Sequence, residues 1–340
     1  MPVNTKNDSV VSVKPVFLPW QKPFLEQLKS LHQRKRLPHA ILLSLPGEED
    51  NTGFIWYLSM LLLCRHDENS RPCGECSSCQ LMLANTYPDF KLVGLEYDEK
   101  NKKINKNIKI EQIRELIHEV HLTRNYDNLK IVVIYPAEKM SIAGANSLLK
   151  TIEEPAAHVL VLLVTHHSGR IPVTIRSRCQ QWDINFPAQV EALDWLQKQG
   201  MQSDESGRYL ELAEGDPVLA LQLQEINFVD QVGQFKQLFA QYLQNQIDVT
   251  NLVQLLKSTD IALTRRLVSM VIKAYCFQFS GLLDGVNANT TPGNKVAAQA
   301  MTGLLTQAER QLMIEDNNLD LQLQLEDVLI SVKQIIISNR

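Results

Sequence analysis

Cys64, Cys73, Cys76 and Cys79 crowd into residues 64–79. In the run Cys73-Gly-Glu-Cys-Ser-Ser-Cys79, two residues separate successive cysteines. That gap lets neighbouring thiolates turn toward one ion, and Cys64, closing an apolar helical stretch, completes a tetrahedral set of four thiolates. Gly74 supplies the backbone freedom that a metal knuckle needs. Zinc suits four thiolates and stays bound in a reducing compartment. An iron–sulfur cluster calls for a further cysteine soon after Cys79 with proline behind it, and neither is there; unliganded thiols are the other competing reading. Four protein ligands leave no open position for water, so a metal here is structural. Cys276, beside Ala274, Tyr275 and Phe277, reads as a core residue. His166 and His167 lack spaced partners and read as a solvated turn rather than a metal pair. The basic cluster Arg34-Lys-Arg36 reads as a solvated helix end.

The elements that must position these groups follow from apolar periodicity. Trp20 to Leu31 has helical spacing. His39 to Leu45 is a strand, followed by a turn at Pro46-Gly47, and Phe54 to Cys64 is an apolar helix. A short strand is expected near Phe90–Val93, and the lysine- and asparagine-rich stretch from Asp98 to Lys109 reads as an exposed loop. Ile110 to Leu122 is an amphipathic helix. The apolar runs 130–134 and 159–164 read as strands covered on both faces. Between them a helix runs from Ala143 until Pro155 stops it. Gln181–Ile184 is the last strand. Alternating strands and helices of this length imply a parallel, doubly wound sheet. After Pro187 the pattern is helical: a small unit over 187–227, then four or five longer helices from 228 to 340, interrupted by a loop at 284–293. Leu319, Leu321, Leu323 and Leu325 alternate, yet their flanks read as helix.

A nucleotide-binding sheet carries Gly-x-x-x-x-Gly-Lys-Ser/Thr after its first strand. This chain has Gly47-Glu-Glu-Asp-Asn-Thr-Gly-Phe54. It lacks the lysine that reaches the phosphates and the hydroxyl that holds Mg2+. Glu48, Glu49 and Asp50 stand where an anion belongs, and like charges repel.

Further along, Ala145-Asn-Ser-Leu-Leu-Lys-Thr-Ile-Glu-Glu-Pro155, Leu37-Pro-His-Ala40, the cysteine run and Ser177-Arg-Cys179 together resemble the clamp-loader subunits of the AAA+ family. The resemblance spans nearly the whole chain. It implies an AAA+ core with inserted zinc module over 1–186, a small helical lid domain over 187–227 and a helical collar domain over 228–340. Tyr135 and Pro136 stand where the family has the Asp that holds Mg2+ and the Glu that orients water, and neither can do that work. Thr165 matches the family's sensor position. Arg178 matches an arginine finger given in trans to a neighbouring ATP site, with Ser177 and Cys179 completing its motif. A guanidinium there is worth about 10³–10⁵ in rate.

The degenerate loop at Gly47, the lost acidic box and the kept Ser-Arg-Cys resemble the ATPase-inactive stator of the bacterial DNA polymerase III clamp loader. That implies a hetero-pentamer with gamma or tau ATPase subunits and a delta subunit, acting on the sliding clamp and primed DNA. It also implies no ATP bound by this chain and a non-catalytic place in the polymerase holoenzyme. The competing readings are an active clamp-loader-type ATPase, against which the missing lysine stands, and a zinc-dependent DNA-binding module. The latter wants a basic cysteine segment, but residues 64–79 carry Arg65 and Arg71 against Asp67, Glu68 and Glu75.

The balance of 34 Lys and Arg against 38 Asp and Glu, net −4, disfavours strong nucleic-acid binding by this chain alone. An apolar content of 44% supports a substantial core. No apolar run reaches the ~18 residues of a membrane span. The polar stretch Met1–Lys14 lacks the apolar core of a signal peptide, so a cytoplasmic protein with reduced cysteines is expected.

Overall fold

The computed structural model describes residues 13–47, 50–66, 72–98, 103–121, 129–256, 264, 266–272 and 321–338. Glu48, Glu49, Cys276 and the 284–293 loop lie outside them. The chain divides into two compact units, Met1–Ala220 and Leu221–Arg340.

The first unit is built on five strands: β1 (Ala40–Ser44), β2 (Phe90–Val93), β5 (Lys130–Ile134), β6 (Val159–Thr165) and β7 (Gln180–Asp183). They lie in the order β2-β5-β6-β1-β7, all parallel. This is the doubly wound sheet expected. Two-residue alternation sends Ile41, Leu43, Ile131, Val133, Leu160 and Leu162 to one face, against α1 (Lys22–Gln33), α2 (Thr52–Leu63) and α3 (Ser77–Leu83). The intervening Leu42, Val132, Ile134, Val161 and Leu163 face α4 (Ile110–His121), α5 (Ile142–Glu153) and α6 (Val173–Arg176). Every residue of β6 is buried, which is why its sequence is a continuous apolar run rather than an alternating one. Each such Leu or Val contributes about 1.5–3 kcal/mol on burial.

One stretch differs from expectation. Within 98–109 the chain forms part of a small antiparallel hairpin, β3 (Tyr97–Asp98) with β4 (Lys103–Ile104), pairing Tyr97 with Ile104. Strands of two residues leave no periodicity to read, and the lysines mask the one apolar cross-strand pair.

The unit ends in α7 (Gln189–Lys198) and α8 (Ser203–Leu212), and α9 (Pro217–Glu225) follows. The second unit has α10 (Phe228–Leu243), α11 (Val249–Leu256), a helical segment 266–272 and α12 (Leu321–Ser338), so the alternating leucines from 321 onward are helical. Phe235 and Phe239 stack at 6.2 Å, and Lys333 Nζ sits 3.9 Å from the centre of the Tyr242 ring.

Candidate functional site: phosphate loop, exposed arginine and cysteine cluster

The loop after β1 is where a nucleotide-binding sheet would cradle phosphate. Gly47 takes a left-handed φ of 77°, turning the chain out of the strand. Helix α2 then begins at Thr52, and its first N–H groups are the donors a phosphate would use. Here side chains of the protein take up two N–H groups at this helix start. The Asn51 N–H donates to the Tyr135 hydroxyl at 3.0 Å, and the Thr52 N–H donates to Asp50 Oδ1 at 3.0 Å. The Thr52 hydroxyl donates to the same carboxylate oxygen. The Val16 N–H donates to the Gly53 carbonyl at 3.2 Å. A Cβ on Gly53 would lie 2.8 Å from Val16 Cγ1 and 2.9 Å from the Lys14 carbonyl, so the N-terminal segment closes tightly over this turn.

Tyr135 follows β5 and is nearly buried. Its hydroxyl also shares a 3.0 Å hydrogen bond with His166 Nε2. Burial first, and then the negative charges of Asp50 and Glu138, push its phenol up to about 12. It therefore stays protonated at any working pH. His166 is thus bonded to a buried tyrosine, which corrects the expectation of a solvated turn. Thr165 is fully buried and donates to Glu138 Oε2 at 2.7 Å, while the His167 N–H donates to the Thr165 hydroxyl at 3.0 Å. Sequence reasoning passes over Glu138 and Asp50 as partners in this network. The available signal is an acid four residues beyond the last strand residue of β5, and one just ahead of a helix start.

Arg178 lies in the turn between α6 and β7. Pro172 leads into α6, Ile175 is fully buried beneath it, and the Arg178 N–H closes the turn on the Ile175 carbonyl at 3.0 Å. Arg178 Nε donates to Glu153 at the C-terminal end of α5, and Nη1 donates to the Thr174 carbonyl at 3.0 Å and to the Ser177 hydroxyl at 3.5 Å. The Ser177 hydroxyl itself donates to the Thr174 carbonyl at 3.2 Å. The Arg178 and Glu153 side chains remain 39% and 46% exposed. Cys179 is buried, and burial pushes its thiol up to about 11, so it packs while its neighbours face out.

The four cysteines converge as their spacing suggested. Cys64 caps the end of α2, and Cys76 caps the start of α3, accepting from the Cys79 N–H at 3.5 Å. The Cys76 N–H donates to Cys73 Sγ at 3.3 Å, and Gly74 turns the knuckle with φ 75°. Sγ separations are 3.6 Å for Cys64–Cys73, 3.9 Å for Cys64–Cys76 and 4.0 Å for Cys73–Cys79. Thiolates about 2.3 Å from a tetrahedral ion lie ~3.8 Å apart, whereas a disulfide needs about 2.05 Å. The donor set and its spread therefore fit one metal ion. Among the described residues it is the one group of this kind. Burial alone would raise the Cys76 thiol, but N–H groups of Arg65 and Cys79 outweigh it and bring it down to about 6. Burial raises Cys64 and Cys79. Among the described residues no helix is long and apolar enough to cross a membrane.

The family described as "DNA polymerase III, delta subunit" matches residues 20–188. The DNA polymerase III subunit delta' of Pseudomonas aeruginosa is 32% identical over 249 residues, covering 72% of this chain and 73% of that protein. The subunit of the same name from Escherichia coli is 34% identical over 207 residues, 60% of each chain. Among solved structures, a DNA polymerase III gamma-subunit-related protein from Thermotoga maritima aligns over 91% of this chain and 98% of its own, with 16% identity and a TM-score of 0.49.

Proposed function

Because the chain belongs to the DNA polymerase III subunit delta' family, we propose that it is the ATPase-inactive stator of a clamp loader and lends Arg178 to a neighbour's ATP site. A clamp-loader complex has several subunits. The reading specifies a hetero-pentamer with gamma or tau ATPase subunits and delta, working in the cytoplasm on the sliding clamp and primed DNA. The chain is then a non-catalytic part of the polymerase holoenzyme.

The observation that carries the reading is the self-capped phosphate loop. Two N–H groups at the start of α2, those of Asn51 and Thr52, are taken by Tyr135 and Asp50. An incoming anion would have to displace a carboxylate and a phenol without a lysine to compensate its charge. The kept Ser177-Arg178-Cys179 turn supports the second half: a cation on an exposed turn, held by its own neighbours, suits delivery to a phosphate on another chain.

The same reading divides the chain into a core with the metal module over 1–186, a small lid over 187–227 and a collar over 228–340. It assigns Zn2+ to Cys64, Cys73, Cys76 and Cys79 as a structural ion that pins α2 to α3.

The test is reconstitution with partner subunits. Arg178→Ala should leave assembly intact and cut DNA- and clamp-stimulated ATP hydrolysis at the one site it faces. Arg176→Ala, two residues away, is the control. Wild-type hydrolysis by an intact assembly carrying Arg178→Ala, as with Arg176→Ala, removes the trans role.

A further inference from the structure

The finger reading concerns Arg178 alone, but the geometry around it involves a residue 25 positions earlier. A guanidinium has five N–H donors in a fixed plane. In Arg178, Nε is engaged by Glu153, and Nη1 by the Thr174 carbonyl and the Ser177 hydroxyl. Nη2 has no acceptor among the described residues. The plane is thus held at Nε and Nη1 by three groups: Glu153 at the end of α5, Thr174 within α6 and Ser177 just after it. The two N–H groups of Nη2 are left for an outside acceptor.

We infer that Glu153 is a positioning residue for Arg178: its carboxylate fixes the guanidinium plane so that Nη2 faces an oxyanion on a neighbouring chain. This rests on the reading of Arg178 as a trans donor and adds what aims it. A free arginine has four side-chain torsions to immobilise on meeting a phosphate, and an ion pair formed beforehand removes much of that cost. The carboxylate compensates part of the positive charge, so its contribution is orientation rather than attraction. The position of Glu153 suits this task. Helix α5 is fixed at its start by Ser141, which accepts from the Gly144 N–H at 3.1 Å, and along its length by buried Ala145, Leu148 and Ile152. The carboxylate therefore sits on a rigid arm against the sheet. Ser177 joins the same clamp through the Thr174 carbonyl, which gives the serine of Ser-Arg-Cys a physical role.

A latch would predict the opposite sign. If Glu153 merely restrained the arginine, removing it would raise hydrolysis. The experiment uses the assembled complex with the remaining ATPase sites disabled, and compares wild type, Glu153→Gln, Glu153→Ala, Arg178→Ala and the Glu153→Ala/Arg178→Ala double variant. Positioning predicts that Glu153→Ala lowers stimulated kcat by about tenfold and at most ~100-fold, the scale of a catalytic group misplaced by an ångström. The KM for ATP should not rise, because the local charge becomes more positive. Glu153→Gln keeps a neutral acceptor and should fall between wild type and alanine. If alanine fails to assemble, the glutamine variant carries the test. The double variant should match Arg178→Ala alone, since a residue acting through another has nothing left to aim. Wild-type or raised kcat in both Glu153 variants, alongside an impaired Arg178→Ala, overturns the positioning role and leaves the finger standing. A further loss in the double variant also overturns it. Wild-type kcat in Arg178→Ala instead removes the finger reading itself.

Discussion

Replacing Tyr135 by Phe removes one oxygen from the phosphate-loop turn and leaves the ring in place. That oxygen accepts from the Asn51 N–H and bonds to His166 Nε2, both at 3.0 Å. Two ordinary hydrogen bonds contribute about 0.5–1.5 kcal/mol each. Asn51 is only half-buried, so water can replace one partner, which places the expected loss at ~1–2 kcal/mol. In a unit of this size that lowers the melting temperature by about 2–8 °C. The pH dependence supplies a second signature. The folded-state phenol sits at about 12 against an ordinary 10.0. A group whose acidity is weakened by folding contributes stability below its unfolded value and loses it as pH rises through the folded one. Wild type should therefore lose stability between pH 10 and 12 more steeply than Tyr135→Phe. Urea unfolding read by circular dichroism at about pH 8 and about pH 11, on either side of the unfolded phenol's titration, measures both quantities. A change under ~0.5 kcal/mol at the lower pH, with parallel curves at the higher, would show that the hydroxyl does not cap the loop.

Two other perturbations test the scaffold. Cys76→Ser should release one equivalent of metal per chain and loosen the α2–α3 junction while α10 to α12 stay folded, because structural metal binding is local folding energy; elemental analysis that finds no zinc in wild type contradicts the site. Lys130→Ala should cost about 3–5 kcal/mol, since it takes a cation away from the fully buried Asp89 carboxylate and removes the donor to the Glu119 carbonyl at 3.0 Å; denaturant unfolding within about 1 kcal/mol of wild type would show that other groups hold Asp89 well enough.

Much of this arrangement is legible without coordinates. A run such as Val159–Val164 has few alternatives to a strand covered on both faces, and the Cys-x-x-Cys spacings allow few arrangements besides convergence. Single side chains whose partners lie far along the chain are not legible. The sequence reads Tyr135 as a carboxylate lost. The fold shows what replaced it, a hydroxyl that caps a helix start 84 residues away. Glu153 is similar: in sequence it belongs to a helix end before proline, and only packing of α5 beside α6 brings it to Arg178. The pairing of Tyr97–Asp98 with Lys103–Ile104 leaves no signal because each strand is shorter than any period that could announce it. His166 reads as solvated because nothing local marks a histidine whose partner is a tyrosine beyond the adjacent strand.

Under the proposed function the turn after β1, where Tyr135 and Asp50 hold the Asn51 and Thr52 N–H groups, is expected not to take nucleotide. Isothermal titration of the isolated chain with Mg·ATP tests it most directly, with Tyr135→Phe beside wild type. No saturable heat is expected up to about 1 mM for either protein, a limit of roughly −4 kcal/mol, because freeing one donor does not supply the missing lysine. Saturable one-to-one binding by wild type with a Kd below about 1 mM would contradict it.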